Sequence, residues 1–145
     1  MTTTPDTGTA ANTAVVAAFI DALYTDGDLS AVDRYLDPQL VYHNPPMGFP
    51  ANADGVRQAA ATLRAACPDW HSDRLHMVAE GDLVAEHFVA SGTHRGELFG
   101  VAPTGKTLTL AGIQLFRIRD GRIVERWGHV DELGLMRQLG LVPEA

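Results

Sequence analysis

The sequence predicts an α+β fold: a cone-shaped barrel of strongly curved antiparallel sheet, covered by about three N-terminal helices and ending in a short C-terminal helix. Three observations predict it. Apolar residues recur at helical spacing up to Cys67, and period-two alternation takes over after it. Asp120-Gly121 separates two runs of β-forming residues, a strong short-range hairpin signal. Helical spacing then returns after Asp131. Helices over one face of a curved sheet leave an open end, where pockets commonly form.

The elements follow in order. Residues 1–11 are rich in Thr, Ala, Gly and Pro and read as a disordered lead, so the domain is taken as 12–145. From Thr13 the residues Val16, Phe19, Ile20 and Leu23 form a helical stripe, broken by Asp26-Gly27-Asp28. Asp28 can cap a second helix carrying Leu29, Val32 and Leu36, ended by Asp37-Pro38. Leu40-Val41-Tyr42 reads as a short strand and 43–48 as a loop. Asn52 or Asp54 opens a third helix with Val56, Ala59, Ala60, Leu63 and Cys67 on one side. Strands are expected over 74–79 and 83–92, then a polar loop over 93–106. The long strand from Leu108, the Asp120-Gly121 turn, the last strand and the closing helix complete the chain.

Composition narrows the function. With 11 Lys and Arg against 18 Asp and Glu, the net charge of −7 argues against a nucleic-acid partner. No polybasic run marks a membrane surface, and no apolar run approaches the ~20 residues needed to span one. The N-terminus lacks the charged and apolar regions of a signal peptide. The single cysteine, Cys67, excludes an intramolecular disulfide, and a cytoplasmic location is expected. Its place on an apolar helical stripe marks a buried, inert thiol.

Neither a glycine-rich phosphate loop nor a nucleophile elbow is present. The six histidines match no common metal spacing. A triad of two His and one carboxylate assembled in space, for example His43, His129 and Asp131, would supply a metal site, and none is expected. In the last strand, unbroken alternation puts Ile123, Glu125, Trp127 and His129 on one face, with Val124, Arg126, Gly128 and Val130 on the other. A bulge at Gly128 would change that assignment. His129 is the preferred proton-transfer residue; Asp131 is either a helix cap or an acid/base group. Gln114 on the long strand either lines a pocket, where it would hold an oxyanion, or sits at a solvated edge. His87 and Glu86 lie on opposite faces of one strand, so one of them faces the interior. His43-Asn44 precedes two prolines, which suits either a rigid substrate-binding loop or a simple turn. Phe19, Leu23, Phe88, Phe116 and Trp127 are the expected apolar walls.

Several motifs together resemble the SnoaL-like polyketide cyclases, or ester cyclases. They are the run Gly92-Thr93-His94-Arg95-Gly96-Glu97-Leu98-Phe99-Gly100-Val101-Ala102-Pro103-Thr104-Gly105-Lys106, then Asp120-Gly121-Arg122-Ile123, Trp127, Asp131 and Arg137-Gln138-Leu139-Gly140. Pro68-Asp69 and Ala79-Glu80-Gly81-Asp82 also fit, and the likeness spans about residues 14–142. The resemblance implies the cone-shaped fold shared with ketosteroid isomerase and nuclear transport factor 2, and frequent homodimers or higher oligomers. It implies an intramolecular aldol cyclisation that needs no metal or organic cofactor. The family's acid/base Asp and pocket His, counted back from the shared Gln-Leu-Gly, fall on Gly128 and Gln114. Asp131 matches a more widespread Asp of the family, and His94 and Asn44 match family positions as well.

The expected function is therefore a cofactor-independent cyclase or isomerase of secondary metabolism, acting on a hydrophobic, polyketide-like carbonyl compound through an enolate. His129 or Asp131 would move the proton, while Gln114, His43 or Asn44 hold the oxyanion; His87 and His94 join the substrate-binding set. Two alternatives remain at this point. One is water chemistry, epoxide hydrolysis or dehydration, driven by an inward Glu86 or Glu125. The other is a non-catalytic module that binds a hydrophobic ligand or a partner protein.

Overall fold

The computed structural model describes residues 7–143. Helix α1 (Thr7–Ile20) runs into a π-helical turn, Asp21–Thr25, and is followed by α2 (Ala31–Tyr35) and strand β1 (Leu36–Tyr42). A 3-10 turn, Pro46–Gly48, leads to α3 (Ala53–Ala66). Then come β2 (His71–Glu80), β3 (Leu83–Thr93), β4 (Thr107–Arg119), β5 (Arg122–Val130) and α4 (Glu132–Gln138).

Of the segment expected as a lead, residues 1–6 lie outside the described residues and 7–11 form the first turns of α1. Ala10 and Ala11 favour helix by intrinsic propensity, a signal that apolar periodicity does not carry. α2 begins after Ser30 instead of at Asp28, whose Oδ1 accepts the Ser30 N–H at 3.0 Å in a local turn. It also stops at Tyr35, and Leu36 already belongs to β1. Asn52 caps α3, accepting the Gly55 N–H at 2.8 Å. The Asp120-Gly121 hairpin forms as expected: both residues have positive φ (53° and 76°), the geometry of a type I′ turn.

The five strands make one sheet in the order β1-β5-β4-β3-β2. Its two edges, β1 and β2, do not pair, so the cone is an open curved sheet completed by helices. The three hairpin-linked pairs are antiparallel, whereas β1 joins β5 in parallel. That departs from the antiparallel sheet expected. β1 reaches the sheet through helices rather than through a hairpin, so no tight turn dictates its direction.

A register shift at Arg117/Ile118 leaves Val124 as an extra residue in β5. This bulge lies upstream of Gly128 and places Ile123 and Arg126 on the same inner face. Trp127, Glu125 and His129 then point outward. On β3 the inward set is Val84, Glu86, Phe88 and Ala90, and His87 faces out.

The apolar interior falls into two groups. One joins α1, α2 and the early part of α3 to Val84, Phe116 and Ile123. The other joins the end of α3, the 94–106 loop and α4 to Phe88, Leu108 and Leu110. Cys67 is wholly buried in the second group, and burial pushes its thiol up to about 11. That is an inert thiol, as its position on the α3 stripe implied.

Candidate active site

Between the two core groups lies a cavity open at one end. Its enclosed part is small, about 50 Å3, and with the space of its solvent-open mouth it comes to about 620 Å3. Val56, Ala59 and Leu63 of α3 form one wall; Phe88, Ala90 and Leu110 of the sheet form the opposite wall. Pro45, Pro46, Met47 and Phe49 form the rim. Gly55 is required here, because a Cβ at that position would lie 1.8 Å from the Pro50 carbonyl oxygen. The close approach it allows brings the rim down onto α3.

The polar groups of the cavity converge at its floor. Arg126 is 4% exposed and lies over the rings of Tyr42 (4.9 Å), Phe116 (5.2 Å), Tyr24 (5.8 Å) and Phe19 (5.9 Å). Its Nη1 donates to the Tyr24 hydroxyl at 3.1 Å, and its Nη2 donates to Gln114 Oε1. Gln114 Nε2 in turn donates to Glu86 Oε1 at 3.3 Å. Behind Gln114, the fully buried Glu86 also accepts from Arg74 Nε at 3.1 Å, and Arg74 reaches Asp21 at the surface. Burial pushes the Glu86 carboxyl above the usual carboxylate range, against the opposing pull of Arg74, Gln114 and Arg126. The Arg126 Nε–H is buried and has no hydrogen-bond partner among the described residues. Its charge, permanent at any physiological pH, is thus buried at a floor that no carboxylate touches directly.

Of the residues singled out in the sequence, Gln114 and Phe88 line this cavity. Phe19 and Phe116 are fully buried in the layer beneath Arg126, in edge-on contact with each other at 6.4 Å. His129 is exposed on the outer face, its ring 3.4 Å from Asn44 Nδ2. Trp127 is also outward, stacked on His43 at 4.7 Å. His43 bonds Glu125 at 2.6 Å, and His87 stacks on His76 with their Nδ1 atoms 3.0 Å apart. Asn44 Oδ1 accepts the Gly128 N–H at 2.8 Å and pins the rim loop to β5. Asp131 caps α4, accepting the Gly134 N–H at 2.8 Å. His94 is buried in the loop after β3, where Nδ1 meets Thr104 Oγ1 at 3.0 Å and Nε2 has no partner among the described residues. None of His129, Trp127, His43, His87, Asn44, Asp131 and His94 lines the cavity. Among the described residues no cluster of three or more His, Cys, Asp or Glu side chains is placed to hold a metal ion, and His43, His129 and Asp131 each have a different neighbour.

Arg126, Tyr24 and Tyr42 escaped the sequence reading. The bulge at Val124 moved Arg126 into register with the core, which unbroken alternation from Ile123 does not show. A signal existed: Arg126 alternates with Val124, Gly128 and Val130, small and apolar neighbours that leave a surface arginine little reason to be there.

The comparisons agree with this architecture. The pattern of SnoaL-like polyketide cyclases matches residues 14–139. The chain belongs to the SnoaL-like polyketide cyclase family. Among its relatives, the aklanonic acid methyl ester cyclase DnrD of Streptomyces peucetius is 32% identical over 74% of this chain and 72% of its own length. The nogalonic acid methyl ester cyclase of Streptomyces nogalater is 29% identical over 87% of this chain and 92% of its own. In structure, AclR from Streptomyces galilaeus, provisionally assigned as a hydroxylase, superposes with a TM-score of 0.83 at 28% identity, covering 94% of this chain and 85% of AclR. The family and its relatives identify the chain as an enzyme for a small hydrophobic substrate. No described helix is long and apolar enough to cross a membrane.

Proposed function

We propose that this SnoaL-like protein closes a ring in a hydrophobic, polyketide-derived carbonyl compound by an intramolecular aldol reaction. The observation that carries the reading is the buried Arg126 guanidinium on the floor of a mostly apolar cavity, with one N–H that has no partner among the described residues. A carbon between two carbonyls is acidic enough to react through its enol or enolate without a cofactor. As it attacks a ketone of the same molecule, negative charge gathers on oxygen. A fixed cation in a water-poor site stabilises that charge far more than water does. Gln114 fixes the guanidinium from one side and Tyr24 from the other, so little reorganisation accompanies the reaction. Apolar walls fold the flexible substrate toward the closing geometry.

Water activation by a carboxylate lacks support. Glu125 is on the outer face with His43 and Arg117, and Glu86 is sealed behind Gln114.

Cytoplasmic, homo-oligomeric protein is part of this proposal. The outer sheet face exposes Val41 (51%), Ile113 (53%) and Val78 (67%), which supports burial against a second copy. Equilibrium sedimentation checks it: a monomer at micromolar concentration overturns that part.

The chemistry is tested with Arg126→Met and an aklanonic- or nogalonic-type methyl ester, following ring closure by chromatography. The variant keeps the apolar volume and is expected to lose ~10²–10³-fold in kcat. Turnover at the wild-type rate would sink the role given to Arg126.

A further inference from the structure

Resting on the cyclase reading, we propose that the Tyr42 hydroxyl is the group that shuttles the proton during ring closure. Among the described residues, the cavity lining holds no carboxylate and no imidazole; its titratable groups are Tyr24, Tyr42 and Arg126. Tyr24 is already engaged, its oxygen accepting from Arg126 at 3.1 Å. The Tyr42 hydroxyl makes no hydrogen bond to the described residues, although its ring is buried.

Two features of the sheet place it there. Tyr42 pairs with Arg126 across β1 and β5, which sets the guanidinium 4.9 Å over its ring. Gly128 lies two residues further along β5 and opposite Gln114. A Cβ at Gly128 would come 3.3 Å from the Tyr42 oxygen, so the hydroxyl fills the hollow that the glycine leaves beside Gln114. One small volume therefore holds a free phenol, a fixed cation and the Gln114 amide.

The step balances without any other reagent. The substrate reacts as the enol of its dicarbonyl unit. The enol C=C pair forms the new carbon–carbon bond to the acceptor ketone carbon, and the ketone π pair moves onto oxygen. Tyr42 gives its proton to that oxygen, making the product hydroxyl. The enol O–H gives its proton back to the Tyr42 oxygen as its own carbonyl re-forms. Arg126 faces the charge that builds between the two transfers. The phenol starts and ends neutral, so no anionic base is consumed. Burial raises the Tyr42 hydroxyl above its ordinary value, against the opposing influence of Arg126, and so keeps the neutral form over the working range. The charged or titratable groups facing it are Arg126 of β5, Tyr24 of the turn after α1 and Glu132 of α4.

The test compares wild type, Tyr42→Phe and Arg126→Met on the same methyl ester, with kcat, KM, thermal midpoint and a pH profile from 5 to 8. Tyr42→Phe keeps the ring under Arg126 and is expected to lose ~10²–10⁴-fold in kcat, with KM and the melt nearly unchanged. The wild-type profile should show no acidic limb over this range. An acidic limb there, or a Tyr42→Phe rate within about threefold of wild type while Arg126→Met is dead, overturns the phenol shuttle and leaves the cyclase reading standing. A wild type inert toward both methyl esters overturns the two together.

Discussion

Glu86 and Glu125 belong to the same sheet, yet they sit on its two opposite faces in opposite surroundings. Glu86 looks inward, is fully buried, and meets Arg74 and Gln114. Glu125 looks outward, partly exposed, between His43 and Arg117. Burial drives the first carboxyl up; hydrogen bonds from His43 and Arg117 hold the second down. The same division separates Arg126 from Arg117, and Gln114 from the outward histidines. A polar group kept out of water costs several kcal/mol unless partnered; in the inner row Glu86 and Gln114 are partnered, and the Arg126 Nε–H is the group left without a partner among the described residues. Outward groups carry no such cost. His43, His87 and His129 do not line the cavity, although histidine is the first residue type a sequence reader turns to.

A first way to break this division is to delete outward candidates and watch both stability and turnover. Asp131→Ala removes the oxygen that accepts the Gly134 N–H and should cost about 1 kcal/mol in urea unfolding. Turnover should persist at a temperature where the variant is folded. His129→Ala should cost less than about 0.5 kcal/mol, because its ring makes only long contacts of 3.4 Å with Asn44 at the surface. A large kcat loss in either folded variant would bring the outer rim back into the chemistry and end the assignment of catalysis to the inner face.

Much of the fold was legible because its signals are local. The Asp120-Gly121 turn, the Asn52 cap and the helical stripe through Val16, Phe19, Ile20 and Leu23 each depend on a few neighbouring residues. The direction of β1 was not legible, since pairing with β5 spans residues 36–126 and no turn encodes it. The inner faces of β3 and β4 follow plain alternation, and Gln114 and Phe88 were found that way. In β5 one added residue at Val124 exchanges inside and outside for everything that follows, relative to Ile123. That exchange hid Arg126 and promoted His129 and Trp127. Tyr42 was hidden differently. Its proposed role rests on the hollow that Gly128 leaves, and the pairing of β1 with β5 that brings Tyr42 to that hollow is encoded by no local signal.

The smallest expected effect is also the most direct reading of the two faces: the pH dependence of stability in Glu86→Gln and Glu125→Gln. Glu86 holds its proton more tightly folded than unfolded. Between the unfolded value and the raised folded one, the native state carries more protons, so its stability falls as pH rises. Glutamine cannot titrate, so wild type should lose stability relative to Glu86→Gln on going from pH 4 to pH 7. Glu125 is lowered, and the sign reverses. Its contribution is present above the unfolded carboxylate value and is lost as pH falls through the folded one, so wild type should gain on Glu125→Gln over the same interval. Urea melts of the three proteins at pH 4, 5.5 and 7 measure both slopes. Other depressed carboxylates such as Asp28 and Asp69 titrate in all three and cancel in the differences. Slopes of the same sign would mean that Glu86 is paired as a surface carboxylate is, and its place behind Gln114 would then be part of an ordinary ion pair rather than the support of a catalytic floor.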